Sequence, residues 1–238
     1  MLALGGCGKE IDVFPEPGSV TESADIIRAD GRGCIVVSYS SFPIRKDSPP
    51  DGVRSAVLRA LDSTPCSAAA FFWSERALAE RWISEQISIR RNAGLPRRLI
   101  LVGHGLGATE AAETAKNILA READVEIILL LTVDAVRPGR LASTARTATT
   151  AIASHVPGVN LNLIAYDAAP VPDGRALWAH VNYYQEKSEY YHGKAMSGAE
   201  NHLLDDQSGI LNHATADDFA IASITADIRQ ALARGMQW

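Results

Sequence analysis

The stretch Leu99–Ala115, LILVGHGLGATEAAETA, runs from an apolar strand into a glycine-rich turn and on into an alanine-rich helix. Leu99, Ile100, Leu101 and Val102 form a short continuous apolar run, as a strand buried on both faces requires. Gly103, Gly105 and Gly107 then follow at alternate positions, which lets the backbone turn tightly and approach its neighbours closely. Beyond them Ala108, Ala111, Ala112, Ala115, Ile118 and Leu119 recur at helical spacing and give a small-residue face that can lie close against a sheet. A buried strand turning sharply into a helix is the repeating unit of parallel α/β architecture. The expected fold class is therefore α/β: a doubly wound, mostly parallel sheet with helices on both faces.

The flanking sequence continues the alternation. Upstream, Cys34–Tyr39 (CIVVSY) reads as a strand buried on both faces, and the loop from Ser40 to Gly52 holds three prolines. Val53, Ala56, Val57, Ala60 and Leu61 mark a short amphipathic helix, and Ala68–Trp73 a second strand. Ser74 is placed to cap the helix after it, and Gly94-Leu95-Pro96 to end that helix. Downstream, Val125–Val133 is the most apolar strand and is expected to be central. Between Arg137 and Leu177 the pattern degrades into a Thr/Ala-rich stretch, a strand candidate at Val159–Tyr166, and then Pro170, Pro172 and Gly174.

Composition bounds the function class. With 238 residues and 47% hydrophobic content the chain can bury one sizeable core. The 23 basic and 28 acidic residues give a net charge of −5 with no basic block, which argues against a nucleic-acid partner. No run of about 18 apolar residues occurs, so a membrane-spanning helix is not expected. The reading divides the chain into a leader or tether at 1–33 and a single domain at 34–238, with a cap or surface insertion at 137–177.

Gly103-His104-Gly105-Leu106-Gly107-Ala108 resembles the GHSLG string of the lipase- and esterase-like α/β-hydrolases, with glycine at the nucleophile position of the elbow. IILLLTVDAV, AHVNYYQ and NHATADDFAIASI resemble the strands and the histidine loop that follow in that superfamily. The resemblance implies Asp134 as the acid, at the end of a buried strand, with Asp167 as the alternative. It implies His213 as the base, in a loop before the last helix, with His202 as its competitor. Oxyanion donors would be the backbone N–H of Leu106 and one from Ser40 or Ser41. His104 would support the elbow. The 137–177 insertion would either cover the site or be a surface excursion. In this superfamily the strands led by Cys34 and Cys66 lie side by side, so the two cysteines either pair or stay as buried free thiols, the second being the preferred reading of an ordinary core.

Gly105 has no side chain with which to attack a substrate, and three readings follow. The preferred one is a non-catalytic or strongly impaired relative that binds a small ester or acyl ligand. The others are a hydrolase in which His213 and Asp134 activate water directly, and a serine enzyme disabled by substitution. No cofactor and no metal are expected. The G-x-G-x-G spacing is not a dinucleotide fingerprint, and His192, His202, Asp205, Asp206 and His213 lack recognised ligand spacing.

Leu4-Gly5-Gly6-Cys7 resembles the lipobox of bacterial lipoproteins, although a basic start and a longer apolar region are missing. If Cys7 is lipidated, the expected location is the bacterial cell envelope, with membrane contact only through that anchor. Otherwise it is the cytoplasm. Gly8–Asp30 reads as a tether.

Overall fold

The computed structural model describes residues 25–28, 31–41, 51–62, 64–136, 177–187, 192–206 and 209–235. Cys7, the Val159–Tyr166 strand candidate, Asp167 and nearly all of the 137–177 insertion lie outside them. The described strands are β1 (Asp25–Arg28), β2 (Ile35–Ser40), β3 (Ser67–Phe72), β4 (Arg98–His104), β5 (Glu126–Val133), β6 (His180–Tyr184) and β7 (Glu200–Leu203). The described helices are α1 (Gly52–Leu61), α2 (Arg76–Asn92), α3 (Leu106–Arg121) and α4 (Ala216–Gly235), with a 3-10 turn at Trp73–Glu75.

The seven strands form one sheet in the order β1-β3-β2-β4-β5-β6-β7, and every pairing is parallel except β1 against β3. Alternate residues of the continuous apolar strands feed two separate cores. Val36, Ile100 and Val102 pack with α1 and α4 on one face, while Ile35, Val37, Leu99 and Leu101 pack with α2 and α3 on the other. Each fully buried Val, Ile or Leu contributes roughly 1.5–3 kcal/mol of transfer free energy. Both faces are therefore strongly held, and the sheet is covered as a parallel sheet must be.

Several expectations are refined. β4 takes the middle of the sheet, with the more apolar β5 beside it. β1 lies inside the segment read as a tether, so the sheet begins before Cys34. With one exposed and three half-buried residues on an edge, β1 carries little hydrophobic signal. Ser74 does not cap α2; it sits within the 3-10 turn, where the Glu75 carboxylate accepts the Phe72 N–H at 2.8 Å. The helix ends as read, with Gly94 at φ +65° just beyond Ala93. Cys34 and Cys66 are joined in a disulfide, which corrects the preference for free thiols. Parallel pairing of Ile35 with Ser67 sets the two cysteines side by side, with Cα atoms 4.5 Å apart.

His180, at the start of β6, is buried, and burial pushes its imidazole from the ordinary 6.5 down to about 4. The unfolded chain takes up this proton first, so the contribution is complete above pH 6.5 and is lost as the pH falls towards 4. At about pH 5 the wild type is expected to be on the order of 2 kcal/mol less stable than near neutrality through this group alone. Urea unfolding of His180→Gln at both pH values should show a correspondingly smaller loss. An unchanged loss would assign the acid sensitivity elsewhere.

Candidate active site

In an open parallel sheet, ligands bind beyond the carboxyl ends of the strands where the strand order reverses. Here the reversal falls at β2, which has β3 on one side and β4 on the other. Ser41 follows β2 directly and Gly105 follows β4, and pairing of Tyr39 with Gly103 brings the two strand ends together. Gly105 holds φ +57° and ψ −120°, a conformation costly for any residue with a side chain. Its N–H donates to the Val133 carbonyl at 2.9 Å, and its carbonyl accepts from Val136 at 3.2 Å. The turn is thus tied to the end of β5. At Gly103 a Cβ would run into the backbone of Gly107 and Ala108, so glycine is what allows α3 to start this close to β4.

Asp134 follows β5 and is fully buried. Its carboxylate accepts from His213 Nδ1 at 2.7 Å, Gln185 Nε2 at 2.9 Å, the Gln185 N–H at 3.3 Å and the Gly193 N–H. Every partner is a donor, which is the surrounding an ionised carboxylate requires. Asp134 also takes a left-handed backbone with φ 45°, which aspartate tolerates better than most residues. The Gly193 loop is pinned from beneath. Asn182 Nδ2 donates to the Lys194 carbonyl and to Asn201 Oδ1, both at 2.9 Å, and the Met196 N–H donates to Asn201 Oδ1 at 2.7 Å.

Because Nδ1–H of His213 donates to Asp134, the neutral ring carries its lone pair on Nε2. That atom lies 2.8 Å from where a Cβ on Gly105 would stand. His104 holds the loop in place: its Nε2 meets the His213 carbonyl at 2.7 Å, and the two rings are 5.0 Å apart centre to centre. On the other side of His104, Nδ1 is 3.6 Å from Asp217, whose carboxylate accepts the Val53 N–H at 3.3 Å.

The structure therefore brings Gly105, Asp134 and His213 together, with Ser41 beside them. Leu106 is the first residue of α3, so its N–H is among those a helix leaves without an internal partner. Ser40 ends β2 next to Ser41 and is buried. His202 is placed differently: it lies on edge strand β7, stacked on Tyr183 with centroids 5.0 Å apart, and its Nε2 is 3.2 Å from Glu200. Asp134 is engaged by His213 instead. Sequence reading missed Gln185, the Gly193 N–H and the Ser41 hydroxyl. Gln185 closes the AHVNYYQ segment just beyond β6, but only the β5–β6 register shows that it reaches Asp134.

Among solved structures, the alpha/beta hydrolase domain-containing protein 10 from mouse matches 89% of this chain and 94% of its own, at 14% identity and a TM-score of 0.51. The chain has the α/β-hydrolase-like fold. Human thioesterase 2 matches 87% of the chain and 99% of its own, at 12% identity and a TM-score of 0.47. A serine hydrolase homologue from Coxiella burnetii matches 90% and 89%, at 12% identity and 0.44. No family model matches the sequence, and no curated protein does. At 14% identity the likeness to the mouse protein carries the fold alone, and chemistry has to be argued from the site itself.

Proposed function

We propose that this chain hydrolyses carboxylic esters of small molecules, with His213 as general base and acid, and Asp134 as the group that orients it. The single observation that carries this reading is the 2.7 Å contact between His213 Nδ1 and the buried Asp134 carboxylate, with Nε2 directed to Gly105 at the end of β4. A neutral imidazole held in this tautomer can take a proton from a nucleophile and return it to a leaving group. The Leu106 N–H, at the start of α3, would stabilise an oxyanion, as helix N-termini favour anions. Gly105 would stand at the nucleophile position of the elbow. Its missing side chain favours the second reading, a site that binds an ester or acyl ligand without turning it over.

Turnover of a panel of aryl esters from acetate to octanoate separates the two. Hydrolysis that disappears in His213→Ala supports the hydrolase. Saturable ester binding by the wild type, with no turnover above that of His213→Ala, supports the binding module. The Cys34–Cys66 disulfide is of a kind that persists in oxidising compartments, and together with the sequence around Cys7 it supports a place in the cell envelope.

A further inference from the structure

We propose that the nucleophile of this site is Ser41, supplied by the end of β2 in place of a side chain at Gly105. The inference rests on the hydrolase reading above and adds to it the residue that attacks. Ser41 Oγ and His213 Nε2 both lie within 3 Å of one point, the position of a Cβ on Gly105. That point is occupied by no atom of Gly105, and a Cβ there would collide with Ser41 Oγ. Glycine at 105 and a hydroxyl at 41 are therefore complementary: the first makes room for the second. Ser41 is buried just beyond the end of β2, where the strand order reverses, and its hydroxyl donates to the His104 carbonyl, which fixes it beside the turn.

The chemistry balances with the groups present. The hydroxyl proton swings from the His104 carbonyl to His213 Nε2, as a hydroxyl rotor allows, while Ser41 Oγ bonds to the acyl carbon. Negative charge builds on the acyl oxygen, facing the Leu106 N–H. The ester C–O bond then breaks, and the leaving alkoxide takes the proton from Nε2. Water gives a proton to Nε2 and adds to the acyl carbon. The Ser41–acyl bond breaks, Oγ regains the proton, and the carboxylic acid leaves.

The test combines aryl ester kinetics with a fluorophosphonate probe and peptide mapping by tandem mass spectrometry. The wild type is expected to gain one adduct on Ser41, and Ser41→Ala to lose both the adduct and about 10³-fold in kcat while still melting cooperatively as a folded protein. Ser41→Cys, probed with iodoacetamide, should be alkylated at position 41 faster than the same variant carrying His213→Ala, which reports the proton acceptor even where ester turnover is slow. If Ser41→Ala keeps its rate while His213→Ala loses it, the hydrolase reading stands with water as the attacking group, and Ser41 is excluded. An adduct mapped to another residue also overturns the proposal. If the wild type neither labels nor hydrolyses any ester of the panel, the hydrolase reading itself fails, and the assignment of Ser41 with it.

Discussion

Replacing Asp134 by asparagine is expected to lower kcat for aryl esters by about three to four orders of magnitude, with KM moving far less. The carboxylate is fully buried and sees only donors: His213 Nδ1, both nitrogens of Gln185 and the Gly193 N–H. An asparagine in this pocket must turn its own NH2 towards at least one of them. If it faces His213, the ring takes the opposite tautomer and Nε2 carries a proton, so the base is lost where it is needed. If it faces Gln185 or Gly193, a buried donor pair is left unsatisfied, at a cost of about 1–3 kcal/mol in stability. The backbone itself tolerates the change, since asparagine accepts φ 45° as readily as aspartate. His213→Ala should lose a similar factor, and the double variant no more than either alone, because the two residues act as one unit. Steady-state kinetics on the three variants, with thermal melts as the control for folding, check this. Retention of activity within about tenfold by Asp134→Asn would remove the pair from the mechanism.

Gly105→Ala and Gly105→Ser form the second decisive comparison. Both add a Cβ at a site with φ +57°, at a strain of about 1–3 kcal/mol, and both push that carbon against Ser41 Oγ and to 2.8 Å from His213 Nε2. The alanine variant blocks the point where hydroxyl and base meet and brings nothing in return, so its turnover should fall at least about 100-fold. The serine variant pays the same steric cost but presents a hydroxyl beside the base. It should exceed the alanine variant by about 10³-fold, and the gain should vanish when His213→Ala is added. Because the two differ only in the hydroxyl, their ratio separates a lost nucleophile from a distorted turn. Equal rates for the two would mean that an attacking group at 105 is out of register with His213.

Much of the fold was legible because its signals are local. The apolar runs at CIVVSY and at Leu99–Val102 are continuous since both faces of their strands are buried, and the alanines of α3 repeat at helical period because one face lies on the sheet. Edge elements were harder. β1 has one exposed and three half-buried residues and carries no period that separates it from a tether. The cap of α2 was misread at Ser74 because the chain makes a 3-10 turn before the helix, a choice set by the Glu75 side chain reaching the Phe72 N–H. In the site, Asp134 and His213 stand out in the sequence by their places at a strand end and before the last helix. Gln185 and the Gly193 N–H do not, since one looks like the tail of a strand and the other is a backbone group.

The sequence by itself determined the class of fold, the alternation of strands and helices from β2 to β6 with the last helix, and the tight turn at Gly105, because hydrophobic period and glycine spacing are written into neighbouring residues. Only the tertiary structure decided which groups meet. His213 and Asp134 are 79 residues apart, His104 and His213 are 109 apart, and Cys34 and Cys66 pair across 32. Such meetings depend on strand register and on the reversal of strand order at β2. Each is fixed by the packing of two whole cores, and a shift of one residue would have turned Ser41 or Asp134 away from His213.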